Sequence, residues 1–207
     1  MKTLLRLSIA AAFMSQFAYA EPANTEAFSH AYQQYNVSVE NHNNQDTLKY
    51  AQQAYELGQI KFGQDSFDSA KLAINYANAV MVEPKKKNQG RVIEDEATLK
   101  AHQLFTSALA VYRENVTDNG IELIDPLIGL AESTTDDKYA KTLLFEAIEI
   151  AEKADNELTV AEVKLITFHR LSHTEYYTRT VRTLAFDAYD IYTSKLPEDA
   201  IKRVDAT

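Results

Sequence analysis

One short pattern decides how this chain folds: residues 51–58, which read AQQAYELG. Ala51, Ala54 and Gly58 recur at steps of three and four, the spacing that places side chains on one face of an α-helix. Small side chains on that face let a second helix approach closely, and Tyr55 beside them fills the groove between the two helices. The stretch therefore predicts a helix that packs tightly against a neighbouring helix.

The same pattern returns three more times. Each copy has an alanine followed by a large apolar residue, with small or apolar residues three positions before and four after. The copies are Phe105, Ala108, Leu109 and Tyr112; Leu144, Ala147, Ile148 and Ala151; and Ala185, Ala188, Tyr189 and Tyr192. Alanine at helical spacing occurs in any helical bundle, but four matching sites in one register favour internal repeats, each made of one pair of helices.

The periodicity of apolar residues extends this pattern to most of the chain and predicts eight helices. They cover residues 25–42, 46–62, 66–83, 95–115, 121–134, 136–154, 157–173 and 174–194. A composition with five glycines, four prolines and no tryptophan suits helices better than β-turns. Residues 159–162, Thr-Val-Ala-Glu, form a capping-box pattern at the start of the seventh helix, and residues 84–90 break the chain as a loop. We therefore expect an all-α fold of four helix pairs, at about 25–62, 66–115, 121–154 and 157–194.

These residues resemble the tetratricopeptide repeat family, particularly the longer-period type found in kinesin light chains. The segments that carry the resemblance are 51–58, 62–66 (FGQDS) and 73–77 (AINYA), with a second copy in 104–112 and 124–131. The resemblance covers most of residues 25–194 and weakens from Ala161 onward, where Phe168, His169 and Arg170 replace the small residues that the family has. The family's tryptophan and its regular period of about 34 residues are absent. The resemblance implies a right-handed superhelical array of antiparallel hairpins, an α-solenoid of about four repeats that binds a protein or peptide.

The start of the chain has the pattern of a secretory signal. Lys2 and Arg6 give a positive beginning, residues 7–14 a short apolar run, and residues 18–20, Ala-Tyr-Ala, a cleavage site. An amphipathic N-terminal helix of a cytosolic protein is the alternative. We expect residues 1–20 to be a signal peptide, residues 21–196 to form a repeat domain in the periplasm, and residues 197–207 to begin a further or capping helix.

The remaining composition limits the classes of function. The net charge of -9 argues against nucleic acid or anionic lipid as the main partner. The chain has no cysteine, so disulfides and the lipid-modified cysteine of a bacterial lipoprotein are excluded. No apolar run after the signal approaches the roughly 20 residues of a membrane span. Because the sequence also has no nucleophile elbow, thiol or phosphate-binding glycine loop, we expect neither enzymatic activity nor a cofactor.

One pair of histidines raises the question of a metal site. His169 and His173 stand four residues apart and would share a face of the predicted seventh helix, as in zinc-binding helices. A third ligand would have to come from elsewhere, with Glu175 or His102 as candidates. Paired histidines on a polar helix face are more often incidental, so we predict no metal site.

The candidate contact residues lie in the second and fourth repeats. In arrays of the kind that the resemblance implies, partners bind the concave surface formed by the first helix of each pair. Lys71, Asn75 and Asn78 follow helical spacing there, and asparagine side chains both donate and accept hydrogen bonds, which suits an extended peptide. A solvated polar stripe is the alternative. Tyr176 and Tyr177 are adjacent, so at least one should face outward, and Tyr177 is the further candidate contact.

The sequence thus favours a periplasmic scaffold or adaptor that binds a protein or peptide. The alternative is the repeat region of a TonB-like energy transducer or an envelope transport subunit. Some proteobacterial proteins of that class have periplasmic repeat regions that are similar to the acidic repeats and to residues 121–131 of this chain.

Overall fold

The structure, a computed structural model, describes residues 24–82, 95–116 and 120–197. This part of the chain is all-α and contains eight α-helices. They are α1 (24–40), α2 (Asn44–Phe62), α3 (Phe67–Val82), α4 (Glu96–Asn115), α5 (Ile124–Ser133), α6 (Asp137–Lys153), α7 (Glu157–Leu171) and α8 (Arg179–Lys195). A 3-10 turn, η1 (Ile121–Leu123), leads directly into α5. The prediction of eight helices is confirmed, whereas the predicted signal peptide, the loop at 84–90 and the segment after Pro197 lie outside the described residues.

Polar side chains determine where several of these helices begin. Asp95 accepts a hydrogen bond from the backbone N–H of Thr98 at 2.7 Å, and Asp136 accepts from the N–H groups of the residues that open α6. Asn43, Asn156 and Thr178 do the same for α2, α7 and α8. Each cap satisfies backbone donors that have no partner inside the helix. At α7 the cap is Asn156, not the Thr159 of the predicted capping box, because the helix begins two residues before Thr159.

The helices pack in consecutive pairs along the chain. From α2 onward, each described helix packs mainly against the helices before and after it. In addition, α3 contacts α5, and α5 contacts α7, so the first helices of successive pairs lie beside one another. This order of contacts agrees with the predicted pairing of hairpins.

The repeated alanine pattern forms the contacts between helices. Ala54, Ala108, Ala147 and Ala188 are all at most 1% exposed, as expected for small residues at close helix crossings. The flanking residues of the first three copies are buried, except Tyr55, which is half-buried. In the fourth copy Tyr189 is 49% exposed, unlike the large residue that follows the alanine in the earlier copies. The reason is that, among the described helices, only α7 covers α8.

Two glycines bring helix backbones into contact with side chains of a neighbouring helix. A Cβ atom at Gly58 of α2 would overlap the Leu72 side chain of α3, and one at Gly129 of α5 would overlap the ring of Phe105 in α4. Phe105 is completely buried, so its ring cannot move aside into solvent. These two contacts therefore determine how closely α2 packs on α3 and how closely α5 packs on α4.

Arg170 connects α7 to the joint between α5 and α6. Its side chain is only 7% exposed, and Nη1 pairs with Oδ1 of Asp137 at 2.8 Å. Nε donates to the carbonyl oxygen of Ala131 at 3.1 Å, and Nη2 donates to that of Thr134 at 3.0 Å. Arg170 thus supplies partners to carbonyls at the C-terminal end of α5. Arg170 stands where the tetratricopeptide family has a small residue, and these bonds give a structural reason for the difference.

In the ranges 24–82, 95–116 and 120–197, no helix has the length and apolar character needed to cross a membrane.

Candidate functional site

Four residues of α3 form an exposed polar row, which we call the α3 stripe: Asp68, Lys71, Asn75 and Asn78. Their spacing of three, four and three positions places them on one face of the helix. Asp68, Lys71 and Asn78 are exposed and Asn75 is half-buried, whereas most other residues of α3 are buried. Within the described part of the chain, no side chain of the stripe forms a hydrogen bond or ion pair. The predicted residues 71, 75 and 78 are therefore together on one face and available for contact.

The surface beside the α3 stripe belongs to η1 and α5. The helices α3 and α5 contact each other, and Asp68 and Asp125 in their first turns both act on the same side chain, Tyr112, so these first turns lie at the same end of the array. Glu122 of η1 and Asp125 of α5 are both exposed there. The exposed carboxylates of Glu122 and Asp125 therefore lie beside Asp68, the first residue of the α3 stripe.

A stacked pair of aromatic rings lies at this end of the array. The ring of Phe67, the first residue of α3, stacks on the ring of Tyr112 in the last turns of α4, with 4.4 Å between centroids and 23° between planes. Phe67 is 38% exposed, whereas Tyr112 is only 5% exposed. Within the described residues the Tyr112 hydroxyl forms no hydrogen bond. Phe67 therefore presents a ring surface to solvent, supported from below by the buried tyrosine.

Three carboxylates lie near enough to the Tyr112 hydroxyl to influence its pKa. Desolvation raises its pKa above the usual value of 10.0, and the charges of Asp125, Glu122 and Asp68 raise it further. These carboxylates come from α5, η1 and α3. We call this constellation, Phe67, Asp68, Tyr112, Glu122 and Asp125, the acidic notch.

The carboxylates of the acidic notch have no cationic partner among the described residues. The salt bridges of this part of the chain involve other acidic groups. Arg113 is next to Tyr112 in sequence, but its Nη2 donates to both carboxylate oxygens of Glu146, at 2.9 and 2.8 Å. The negative charge of the notch therefore faces solvent without compensation from a nearby arginine.

Tyr177 lies on a different surface from the α3 stripe. It stands in the turn between α7 and α8, is 45% exposed, and has its ring 6.3 Å from that of Phe168. Tyr176 stands on the same turn and is half-buried, and Nζ of Lys141 in α6 lies 5.4 Å from the centre of its ring. Since neither α7 nor α8 contacts α3, the structure does not bring Tyr177 together with Lys71, Asn75 and Asn78.

The two histidines do not share a helix face. The helix α7 ends at Leu171, so His169 is in its last turn and His173 is in the turn that follows. The predicted extension of this helix to residue 173 is wrong because Ser172 already caps it, donating its N–H to the carbonyl of Phe168. His102, one candidate third ligand, has its Nδ1 3.4 Å from Oγ of Ser133. In the described ranges, no three His, Cys, Asp or Glu residues form a group that could hold a metal ion.

The acidic notch could not be found by reading the sequence one element at a time. Acidic residues in the first turn of a helix are explained by the helix dipole, and Tyr112 fits the alanine repeat as a core residue. Only the folded chain shows that Phe67 stacks on Tyr112 and that α3, η1 and α5 contribute carboxylates to one place.

Comparison with known proteins gave no match: no family model, no curated protein and no solved structure is significantly similar to this chain. The resemblances to tetratricopeptide proteins and to TonB-like transducers therefore stay predictions that rest on the residues quoted for them.

Proposed function

We propose that this chain is a helical-repeat scaffold that binds a protein, or an extended peptide segment of one, along the face that includes the α3 stripe. The observation that carries the proposal is the unpaired polar row of Asn75, Asn78 and Lys71 on a helix whose other residues are mostly buried. Each asparagine amide can donate to a carbonyl and accept from an N–H, which matches the backbone of an extended peptide.

The order of helix contacts supports this proposal. Because α3, α5 and α7 lie side by side, their outer faces can form one continuous surface. Stacking of hairpins with a constant small rotation curves such a surface into a concave groove. We propose that the hairpins form a right-handed superhelix of about four repeats with this groove on its inner side.

The proposed location is the periplasm, and its support is the signal-like pattern of residues 1–20. A role in binding rather than catalysis follows from the kinds of residue on the face. The amides of Asn75 and Asn78 and the ammonium group of Lys71 lie in a row along α3 and suit contacts with a partner, whereas catalysis needs groups that converge on one reacting atom.

The test compares two double variants with the wild-type protein. Asn75→Ala with Asn78→Ala removes the two amides of the α3 stripe, and alanine keeps the helix because it is the best helix former. Gln53→Ala with Gln103→Ala removes two exposed amides from α2 and α4 and serves as the matched control. Immobilised wild-type protein captures its partner from a bacterial envelope extract, and the affinity of the identified partner is then measured for each variant.

We expect the stripe variant to bind the partner about 5- to 150-fold more weakly, since two hydrogen bonds are lost at about 0.5–1.5 kcal/mol each. The control should bind as the wild type does. Equal affinity of the stripe variant and the wild type would show that the partner does not use this face. Repeated capture of no partner at all would contradict the scaffold function itself.

A further inference from the structure

The outer side of α8 exposes two aromatic side chains. Phe186 is 64% exposed and Tyr189 is 49% exposed. Arg182 lies four residues before Phe186 and Thr193 four residues after Tyr189, so the four side chains share one side of the helix. Asp190, one turn after Phe186, borders this row. We call these five exposed residues the α8 face.

The described helices leave the α8 face uncovered. Of the helices α2 to α7, only α7 contacts α8, and Val181, Leu184 and Ala188 are buried on the side of α8 that faces away from the two exposed rings. A single exposed apolar residue needs no explanation, whereas two large rings on adjacent turns of an outer helix face are typical of an interface. The α8 face therefore has the composition of a contact surface.

The charges along α8 are ordered by sign. Arg179 and Arg182 are among its first four residues, and Asp187 and Asp190 follow them. From α2 onward, every other described helix has an acidic residue in its first turn, and a helix dipole disfavours cations at this end. Asp187 pairs with Lys164, but neither Arg182 nor Asp190 forms an ion pair within the described residues. Both charges of the α8 face are thus available to a partner.

We infer that the α8 face binds a second copy of this chain, with the two α8 helices packed antiparallel about a two-fold axis near Phe186. In an antiparallel pair, the residue four positions before the axis lies opposite the residue four positions after it. Arg182 of one copy therefore meets Asp190 of the other, and the two-fold symmetry forms the same ion pair twice. Parallel packing would place like charges side by side. The order of charges thus favours an antiparallel second copy as the occupant of this face.

The rings of Phe186 and Tyr189 from both copies form the apolar centre of this interface, and the two ion pairs lie at its rim. Because each copy contributes a single helix, the interface is small, and we expect a reversible dimer with a dissociation constant in the micromolar range. Since α8 does not contact α3, the dimer leaves the α3 stripe free. The inference therefore does not depend on the proposed function, and either one can fail alone.

Sedimentation equilibrium of the purified protein measures the dissociation constant of the dimer. Phe186→Ala with Tyr189→Ala removes the two rings, and Ile60→Ala with Tyr139→Ala is the matched control, since it removes two exposed apolar side chains from α2 and α6. We expect the ring variant to dimerise at least about 100-fold more weakly, because four rings leave the interface. The control should differ from the wild type by less than about 2-fold.

The ion pair has a test that requires two copies. Arg182→Glu and Asp190→Arg each place like charges opposite one another on both sides of the axis, and each should weaken dimerisation about 10-fold. Mixed in equal amounts, the two variants form a heterodimer in which both pairs have opposite charges, so association should return to within about 2-fold of the wild type. Within one chain the two residues are eight positions, or about 12 Å, apart along α8 and cannot compensate each other.

A wild-type protein that stays monomeric, or a ring variant that dimerises as the wild type does, would overturn the inference. A monomer that the ring variant destabilises in urea more than the control does would show that another part of the same chain covers the α8 face, and would overturn it as well. Weak association in the mixture of the two charge variants would exclude the antiparallel arrangement. A dimer that the ring variant disrupts and the mixture restores supports the inference.

Discussion

Replacement of Arg170 by methionine tests whether this side chain holds the second half of the helical array together. Methionine keeps the unbranched apolar stem but removes the guanidinium group, which makes three hydrogen bonds. The Arg170 side chain is only 7% exposed. The change leaves Asp137 without its ion-pair partner and leaves the carbonyls of Ala131 and Thr134 without these donors. All three groups lie at the joint between α5 and α6.

The expected loss of stability is about 3 kcal/mol. Breaking a buried ion pair from one side costs about 3–5 kcal/mol, because the remaining charge has lost its partner. The lower end applies here, since the Asp137 side chain is 33% exposed and can regain water. For a domain of this size, about 3 kcal/mol corresponds to a decrease in melting temperature of roughly 6–12 °C.

Arg113→Met is the matched control. Arg113 also pairs with a carboxylate at 2.8 Å, but its side chain is 49% exposed. An exposed pair of this kind contributes about 0–1 kcal/mol. Urea unfolding followed by circular dichroism gives the free energy of both variants. Arg170→Met that is no more destabilising than Arg113→Met would show that the bonds of Arg170 do not stabilise the joint. The same conclusion would follow if adding Asp137→Asn to Arg170→Met restored none of the lost free energy of unfolding.

Three further predictions concern packing and ionisation. Gly129→Ala should destabilise the fold by about 1–3 kcal/mol because a Cβ overlaps the buried Phe105 ring. Gly58→Ala should cost less, since only the flexible end of Leu72 must move; the reverse order in thermal unfolding would contradict this packing. Thr98→Val should raise the free energy of unfolding by about 1 kcal/mol, because the buried Thr98 Oγ1 has no hydrogen-bond partner among the described residues. An unchanged or lower value in urea titrations would mean that the hydroxyl has a partner. The raised pKa of Tyr112 means that the unfolded chain loses this proton first, so its stabilising contribution is complete below about pH 10 and is lost as pH rises through the higher folded-state pKa. Urea unfolding at a series of pH values should show a shallower decline for Tyr112→Phe, and equal slopes in both proteins would refute this.

The helices were predictable because their signals are local. Steps of three and four between apolar residues give the helical faces, and the positions of α2 to α6 differ from the predicted segments by only a few residues. The predicted boundary between the seventh and eighth helices was wrong. Periodicity continued through residues 172–178, but in the folded chain these residues form the turn between α7 and α8.

The tertiary contacts were less predictable because they depend on which elements meet. Tyr189 has the same pattern position as buried residues in the earlier copies, but burial requires a helix on both sides of α8. The partners of Arg170 are 33 to 39 residues away in sequence, and no spacing rule identifies them. The acidic notch needs three elements at once, whereas the candidates read from the sequence, Lys71, Asn75, Asn78 and Tyr177, were each chosen within a single segment.

The consecutive packing of the helices also affects how the chain folds and unfolds. Because each described helix contacts mainly its immediate neighbours in the chain, most tertiary contacts join residues with small sequence separation. Low contact order is associated with fast folding, and nearest-neighbour coupling lets folding spread from one hairpin to the next. In the monomer, amide hydrogen exchange should therefore be slower in α3 to α7, which have neighbours on both sides, than in α8, which among the described helices contacts only α7. The protein is expected to open from this end, one hairpin at a time.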